Sequence, residues 1–484
     1  MTQRKDLEHR LKLVEELGQM HVNLYPSKLE NSTTIEKIVS NPELFMEHTE
    51  KISGRIFALR FHGKVAFGDL VDNGFKIQLY LKSEVLKERF EFFNKYLDRG
   101  DFIWCEGTIT RTQRGELSIL VLKFEILAKS LYDLPHQWFG LEDVETRYRA
   151  RYLDLLLNKN VFEIFLKRSR IIREVRNYLD QREYIEFETP VLQPIYGGAN
   201  ARPFITLVNS IKQNYYLRIS DELYLKRLLV GGYTKVYEIA KDFRNEDIDT
   251  THNPEFTMIE IYEAYKDYND MMDLAEQMLK AVALKVNGSY MIDFKDHQLD
   301  LSKPWRRVTM YSLLREKGID PKTITDEELQ KLVLQHGIKL VKYSRGLAIT
   351  KLFESLCEEE LIEPTFVIDY PKESTPLCKI HRDDPELIER FEFFVNGMEL
   401  ANGYSELNDP IRQEQTLREE TALRNLGDEE AQQFDQDFID ALRVGMPNAG
   451  GIGIGIDRLV MLLTAQTSLK EVLLYPILAI KKEE

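Results

Sequence analysis

The fold of this chain is predicted first from residues 235–262, KVYEIAKDFRNEDIDTTHNPEFTMIEIY. Its first nine residues are rich in β-branched and aromatic side chains, which favour a strand. Residues 245–254 lack apolar periodicity and carry Asn, Asp, Thr and Pro, which favour a turn. From Phe256 the chain alternates again, so that Phe256, Glu260 and Tyr262 share one face. The stretch therefore predicts two long antiparallel strands joined by a polar loop.

Charged and aromatic side chains cluster where these strands meet the loop. Arg244 offers a fixed fork of donors to a phosphate or a carboxylate. Phe256 offers a stacking face, and His252 offers a donor for a distal phosphate. A hairpin with a solvated charged loop would carry the same residue types. The residues alone therefore leave two interpretations open, a nucleotide site and an ordinary charged hairpin.

The order of these residues resembles a known motif. FRNE, residues 243–246, followed by HNPEFTMIE, residues 252–260, resembles motif 2 of the class II aminoacyl-tRNA synthetases, and the match continues through Tyr268. The chain most resembles the lysine-specific members. The resemblance implies an α+β fold, in which an N-terminal OB-fold β-barrel precedes a class II catalytic domain. That catalytic domain is an antiparallel sheet flanked by helices.

Two further segments resemble the other motifs of the family. A helix predicted over residues 161–181, followed by a strand predicted over FETPVLQP at 187–194, resembles motif 1, which in the family builds a homodimer interface. The same residues would also suit an ordinary helix packed on a sheet. GIGIGIDRLVMLLT, residues 451–464, resembles motif 3, a glycine-rich strand and a helix that presents Arg458 to the γ-phosphate.

The resemblance implies a role for each residue of an ATP site. Arg244 and Arg458 are the implied catalytic residues, and Arg244 bridges the α-phosphate and the amino acid's carboxylate. The other implied ATP contacts are Glu246 at the adenine end, His252 at the terminal phosphates, Asn253 holding the loop, and Phe256 stacked on adenine. Glu392 and Glu399 are implied to hold Mg²⁺, which prefers oxygen ligands.

The resemblance also implies a lysine site. An ε-ammonium carries three donors and no acceptor, so it requires acceptors around it. Those implied are the carboxylates of Glu222 and Glu406 and the hydroxyls of Tyr262 and Tyr404. The remaining implied contacts are Gly198 and Arg244 at the main-chain end, Glu260 at the α-amino group, and Asn402 on the same strand face as Tyr404 and Glu406. Most relatives carry glycine and phenylalanine where this chain has Ala401 and Tyr404.

The pattern before residue 130 is different. Three strands, a charged helix over 84–96 capped by Ser83, and two further strands fit a five-stranded OB barrel. Taken alone, Phe67 predicts a buried core aromatic. The family resemblance implies instead that Phe67 stacks on an anticodon base, while Arg60 and Gln78 read its uridines.

These patterns divide the chain. We predict an N-terminal helical extension over 1–48, an OB-fold anticodon-binding domain over 49–130, and a linker over 131–143. The catalytic domain then spans 144–484, with a helical insertion around 270–380. The charged start, the three widely spaced cysteines and the lack of a long apolar run predict a cytoplasmic protein without membrane contact. The net charge of −15 disfavours a general nucleic-acid binder but permits a local basic face.

The predicted function is ATP-dependent activation of L-lysine and its transfer to the 3′ end of tRNA(Lys), with ATP as co-substrate. One alternative is a related lysine-activating ligase with an acceptor other than tRNA, which the predicted barrel disfavours. The other is a non-catalytic tRNA-binding paralogue. That alternative predicts decay at Arg244, Glu392, Glu399 or Arg458, and all four residues are present.

Overall fold

Alternating buried and exposed side chains mark the N-terminal strands. The computed structural model describes residues 2–29, 32–134, 143–294, 296–340 and 342–480. The chain divides into two compact units. Unit 1 comprises Met1–Arg147 and Tyr152–Phe162, and unit 2 comprises Tyr148–Arg151 and Glu163–Glu484.

Unit 1 contains a closed barrel. Its strands are β1 (Thr49–His62), β2 (Val65–Asp72), β3 (Phe75–Lys82), β4 (Phe102–Arg111) and β5 (Leu117–Ala128). Within the described ranges they follow the order β1-β2-β3-β5-β4, and only the β3–β5 pair is parallel. The helices are α1 (Thr2–Gln19), α2 (Ile35–Ser40), α3 (Ser83–Leu86) and α4 (Glu88–Tyr96). The predicted OB barrel is confirmed.

The prediction of one continuous helix over 84–96, capped by Ser83, is wrong. The chain breaks at Lys87, whose φ of 52° is left-handed, so two helices replace one. Ser83 is the first residue of α3 and not its cap. The break lets the apolar residues of both helices reach the barrel core, where Leu86, Phe90 and Phe93 are buried.

Helices α5 (Val144–Arg149), α6 (Arg151–Leu157) and α7 (Lys159–Asp180) follow. The remaining strands are β6 (Ile185–Glu186), β7 (Leu192–Gln193), β8 (Ile205–Val208), β9 (Gln213–Leu217), β10 (Lys235–Phe243), β11 (Glu255–Ala264), β12 (Met291–Phe294), β13 (His297–Asp300), β14 (Arg306–Thr309), β15 (Thr365–Pro371), β16 (Leu387–Val395), β17 (Met398–Ser405) and β18 (Ala449–Gly455). The remaining helices are α8 (Glu222–Val230), α9 (Tyr268–Asn287), α10 (Met310–Glu316), α11 (Asp326–Gln335), α12 (Arg345–Leu356), α13 (Pro410–Asn425), α14 (Gln436–Val444), α15 (Ile456–Leu463) and α16 (Leu469–Val472).

The predicted hairpin forms the middle of the large sheet in unit 2. Within the part of the chain that the structure describes, the sheet runs β14-β15-β16-β17-β18-β11-β10-β6 and is antiparallel except at its two outer pairs. β10 and β11 pair in continuous register from Lys235↔Glu263 to Phe243↔Glu255. This register places Glu260 opposite Gly453 of the neighbouring β18. The predicted class II catalytic fold is confirmed.

Apolar faces of helices cover this sheet. Helix α7 buries Ile171, Val175 and Leu179, and α9 buries a longer stripe that includes Met271 and Met278. Fully burying such a side chain contributes about 1.5–3 kcal/mol. The helices therefore fix the sheet from one side and leave its other face free to carry polar groups.

Two local predictions are corrected by these elements. Residues 187–194 do not form one strand, because only Leu192–Gln193 is extended and paired there. The segment 270–380 carries helices α9 to α12 as predicted, but it also supplies β14 and β15 to the large sheet. The domain limits at 48, 130 and 143 stay a prediction, and most of the predicted linker lies at 135–142, outside the described residues. Within the described ranges, none of the helices has both the length and the apolar character required to cross a bilayer.

Candidate active site and nucleic-acid interface

A cleft of about 400 Å³ lies over the polar face of the large sheet in unit 2. It collects every residue that the sequence predicted for ATP, metal and lysine. Those residues are Gly198, Glu222, Arg244, Glu246, His252, Asn253, Phe256, Glu260, Tyr262, Glu392, Glu399, Asn402, Tyr404, Glu406 and Arg458. Because they come from segments up to 260 residues apart in sequence, only the folded sheet brings them together.

The hairpin places the aromatic and cationic groups of the cleft. Arg244 follows the end of β10, and its guanidinium lies 5.0 Å from the centre of the Phe256 ring on β11. Its Nε donates a long hydrogen bond of 3.4 Å to the carbonyl of Ile219. The contact with Phe256 orients Arg244 while leaving most of its donors available to an anion.

The loop of the hairpin brings a histidine to the second predicted arginine. His252 Nε2 lies 3.5 Å from Nη2 of Arg458, and His252 Nδ1 lies 2.9 Å from Asp249. Asn253 is buried and donates to the carbonyl of Glu255 at 2.6 Å, which fixes the end of the loop. Glu246 is exposed at the rim. His252 and Arg458 therefore converge on one end of the cleft.

The two predicted metal ligands lie on neighbouring strands of that same end. Glu392 accepts hydrogen bonds from Tyr370 at 2.8 Å and from Arg390 at 2.5 Å. Glu399 lies 3.3 Å from Arg458. Burial and the charge of Glu399 raise the pKa of Glu392 to about 7, against the opposing effect of Arg390. Two carboxylates that repel each other and face one cleft are a donor set suited to a hard divalent cation.

Glu260 sits at the centre of a second acidic group. Ser220 donates to one of its oxygens at 2.8 Å and Tyr262 to the other at 2.5 Å. Its ligand atoms lie within 4.8 Å of those of Asp221 and Asp242. Burial, followed by the charges of Glu222 and Asp242, raises the pKa of Glu260 to about 7. An ammonium group beside Glu260 would relieve this repulsion.

The predicted ε-ammonium site contains a partner that the sequence did not suggest. Lys226 of helix α8 pairs with Glu222 at 2.5 Å and also with Glu406. Tyr404 donates to the other oxygen of Glu222 at 2.5 Å. The sequence implied these two carboxylates as acceptors but suggested no resident partner for them, whereas in the structure one buried ammonium contacts both.

Two glycines let the cleft walls approach this site. Gly198 has a φ of +89°, which a side chain rarely adopts, and a Cβ there would lie 2.7 Å from Ser220 Oγ. A Cβ on Gly451 would lie only 1.9 Å from an oxygen of Glu406. Both positions require glycine, and Gly198 also donates its amide to Gln432 at 3.1 Å.

The cleft contains polar side chains that the sequence analysis did not single out. They include Asn200, Ser220, Ser374, Arg390, Gln432 and Asp457. Arg390 could have been found, because it alternates with Glu392 in a strand and so faces the same side. Lys226 could also have been found, since it follows Glu222 by four residues in the same helix. Gln432 gave no such signal.

A different surface of unit 1 carries the predicted anticodon residues. Phe67 pairs in register with Arg60 on one side and with Tyr80 on the other. It is half-buried and stacks on Tyr80, with ring centres 5.1 Å apart and planes 6° apart. The reading of Phe67 as a buried core aromatic is therefore wrong, because its ring lies on the outer face of the barrel.

The polar groups of this face are held by neighbours. Arg60 donates to Asp69 at 3.1 Å, and Ser118 donates to the side-chain amide oxygen Oε1 of Gln78 at 3.0 Å. An aromatic platform beside oriented polar groups is the arrangement by which barrels of this kind bind single-stranded nucleic acid. Tyr80 extends the platform beyond what was predicted.

Comparisons with known proteins agree with this architecture. Residues 143–479 match the family model described as tRNA synthetases class II (D, K and N). Residues 51–127 match the OB-fold nucleic acid binding domain. The chain therefore belongs to the class II tRNA synthetases.

Similar proteins show to which members of the class II synthetases the chain is related. A lysine–tRNA ligase of Methanoculleus marisnigri is 50% identical, over 97% of this chain and 96% of that protein. Lysine–tRNA ligase 2 of Methanosarcina mazei is also 50% identical, over 94% and 90%. A lysine–tRNA ligase of Saccharolobus solfataricus is 46% identical, over 98% of both chains. Within the class II synthetases, the chain belongs to the lysine–tRNA ligase family.

Proposed function

We infer that this protein joins L-lysine to tRNA(Lys) in two steps, with ATP as the co-substrate. The observation that carries the inference is the single cleft in which two arginines, two neighbouring glutamates and a separate acidic pocket converge. One part of this cleft suits a triphosphate, and the other suits a cationic amino acid. Family membership agrees with both halves of the reaction.

In the first step the lysine carboxylate attacks the α-phosphorus of ATP, the bond to the β-phosphate oxygen breaks, and pyrophosphate leaves. The carboxylate is already ionised at neutral pH, so no protein base is needed. The work of the protein is then to position the two reactants and to stabilise the phosphoryl oxygens. In the second step a hydroxyl of the terminal adenosine of the tRNA takes the lysyl group, and AMP leaves.

Arg244 is proposed to bridge the α-phosphate and the lysine carboxylate. Its position above Phe256 supports this role, because adenine stacked on that ring would place the phosphates beside the guanidinium. His252 and Arg458, which lie 3.5 Å apart, are proposed to contact the terminal phosphates. Glu246 is proposed at the adenine end, and Asn253 as a residue that holds the loop.

Glu392 and Glu399 would hold a Mg²⁺ ion. When bound, such an ion neutralises charge on the phosphates. Burial and the charge of Glu399 raise the pKa of Glu392, which supports the proposal, because a bound cation would favour the ionised carboxylate against both effects. Arg390 and Tyr370 keep the Glu392 carboxylate in one orientation.

The lysine is proposed to lie with its α-amino group at Glu260 and its main-chain end at Gly198 and Asn402. Its ε-ammonium would then reach Glu222 and Glu406, beside Tyr262 and Tyr404. Burial and the adjacent glutamates raise the pKa of both tyrosines, so their hydroxyls stay protonated. Each hydroxyl donates to a glutamate and keeps a lone pair for the ammonium.

Unit 1 is proposed to read the anticodon. Phe67 would stack on one base, and Arg60 and Gln78 would read uridine edges. The outward position of all three side chains supports this proposal and weighs against a ligase whose acceptor is not tRNA. Homodimer formation and a cytoplasmic site of action are part of the proposal on the ground of family membership alone.

The assignment is tested by two assays on the full chain. Lysine-dependent exchange between ATP and pyrophosphate is expected, with no comparable exchange when arginine or aspartate replaces lysine. Charging of a tRNA with a UUU anticodon is expected in the second assay. Equal exchange with arginine would overturn the lysine pocket, and exchange without charging would point to another acceptor. Sedimentation of the purified protein tests the homodimer.

A further inference from the structure

Lys226 lies behind the two glutamates proposed to bind the substrate's ε-ammonium. Its side chain is fully buried in unit 2, and its Nζ contacts Glu222 Oε1 at 2.5 Å and Glu406 Oε2. The Tyr404 ring centre lies 5.3 Å from the same Nζ. Glu222, Glu406 and Tyr404 line the cleft, so these three side chains stand between Lys226 and the substrate.

The two glutamates keep unused hydrogen-bond acceptors for one more cation. Glu406 Oε1, the oxygen not facing Lys226, lies over Gly451 at the wall of the cleft. No hydrogen-bond donor within the described part of the chain reaches that oxygen. Each carboxylate oxygen can accept more than one hydrogen bond, so Glu222 also keeps capacity.

The net charge of Glu222, Glu406 and Lys226 together determines what this pocket can bind. Burial alone lowers the pKa of Lys226, but the charges of Glu222 and Glu406 raise it above its usual value. With both carboxylates ionised, the two glutamates and the lysine sum to a single negative charge; burial raises the pKa of Glu406, and the charge of Lys226 opposes that rise. Without Lys226, two buried carboxylates would face each other, and such pairs tend to take up a proton. A carboxylic acid proton would point a donor toward a substrate that carries only donors.

We propose that Lys226 sets the charge of the side-chain pocket, neutralising one of two glutamates so that the pocket accepts one ammonium. It is a positioning residue that determines specificity and does not touch the substrate. This inference rests on the proposed placement of the lysine side chain against Glu222 and Glu406. The groups facing Lys226 belong to α8, to β17 and its following loop, and to Cys378, which forms a β-bridge with Glu406. The hydroxyl of Tyr262 and the carboxylate of Glu260 interact with Glu406 and Glu222 in the same group.

A pair of substitutions separates this role from a structural one. In Glu406→Gln, Lys226 and Glu222 leave a pocket with no net charge, and the dissociation constant for lysine is expected to rise about 50-fold or more. Adding Lys226→Met restores one negative charge. The double variant is therefore expected to regain about tenfold of the lost affinity. Equilibrium dialysis with labelled lysine measures both, and the dissociation constant for ATP serves as an internal reference.

The matched control uses another buried lysine. Lys129 is fully buried in the barrel and pairs with Asp101 at 2.5 Å. Lys129→Met combined with Glu406→Gln is expected to bind lysine no better than Glu406→Gln alone. If Lys226→Met prevents folding, as judged by circular dichroism, Lys226→Gln with Glu406→Gln provides the same charge.

The outcomes distinguish the two proposals. Unchanged lysine affinity in Glu406→Gln would overturn the placement of the ε-ammonium itself. Weak binding in Glu406→Gln that the second substitution leaves unchanged or worsens would overturn the role of Lys226 alone. Recovery in the double variant and not in the Lys129 control supports both.

Discussion

The barrel face of unit 1 and the cleft of unit 2 are both proposed recognition surfaces, yet they are built in opposite ways. On the barrel, Arg60 is exposed and pairs with Asp69 at 3.1 Å, and Phe67 stacks on Tyr80. In the cleft, Glu222, Glu260 and Glu406 are buried and each is held by neighbouring side chains. One surface offers stacking area, and the other offers desolvated charge.

This difference determines how each surface can discriminate between ligands. An exposed ion pair contributes only about 0–1 kcal/mol, so selectivity on the barrel has to come from stacking and base-edge contacts. A buried net negative charge that no substrate cation compensates is far more costly, so the cleft can reject an uncharged amino acid strongly. Substitutions in the cleft are therefore expected to be poorly tolerated, whereas substitutions on the barrel face are expected to weaken binding by graded amounts.

The largest expected effect comes from breaking the cleft at Arg244. Arg244→Ala removes the guanidinium proposed to bridge the α-phosphate and the lysine carboxylate. Lysine-dependent ATP–pyrophosphate exchange is expected to fall by about 10³-fold or more. Arg306→Ala is the matched control, because Arg306 is an exposed arginine of the same sheet that pairs with Glu316. Comparable exchange in the two variants would remove Arg244 from the mechanism.

A smaller and selective effect is expected on the barrel. Phe67→Ala removes a stacking platform worth about 1–3 kcal/mol per base, so the KM for tRNA(Lys) is expected to rise about 5- to 150-fold. ATP–pyrophosphate exchange, which needs no tRNA, should stay unchanged. Tyr25→Ala, which removes an exposed aromatic ring outside the five strands, is the control. An unchanged KM for tRNA would show that the outer face of the barrel is not the anticodon site.

The smallest expected effect is a pH dependence that only the cleft should show. The pKa of Glu260 is raised to about 7, first by burial and then by the charges of Glu222 and Asp242. Because an α-ammonium binds the ionised carboxylate, binding releases the proton, and lysine affinity should rise as pH increases through this pKa. Between pH 6 and pH 8 the expected gain is about tenfold.

Glu260→Gln provides the control for this dependence. The variant should bind lysine more weakly and with no slope over the same range. A slope that survives in the variant would assign the titration to another group, such as Glu392, whose pKa is also about 7. Phe67 and Gln78 carry no ionisable group, so anticodon binding through them is expected to lack the effect.

Much of the site was predictable from local pattern. A period of two along a strand predicts the β10–β11 hairpin. The same period places Phe256 and Glu260 on the cleft face of β11 and Gln78 on the outer face of the barrel. The sharp turn at Lys87 and the short extended piece at Leu192–Gln193 did not follow. Their conformation is set by packing against distant residues, which overrides local preference.

Strand periodicity and motif order are properties of neighbouring residues, so they were sufficient to predict the fold class, the family and the residue types of both proposed recognition surfaces. Which charges contact each other depends on the folded chain. Lys226 is 180 residues from Glu406 in the chain, and nothing local in either segment indicates their contact. Burial removes the water that would otherwise screen these charges, so the fold alone fixes how many of them the cleft presents to its substrate.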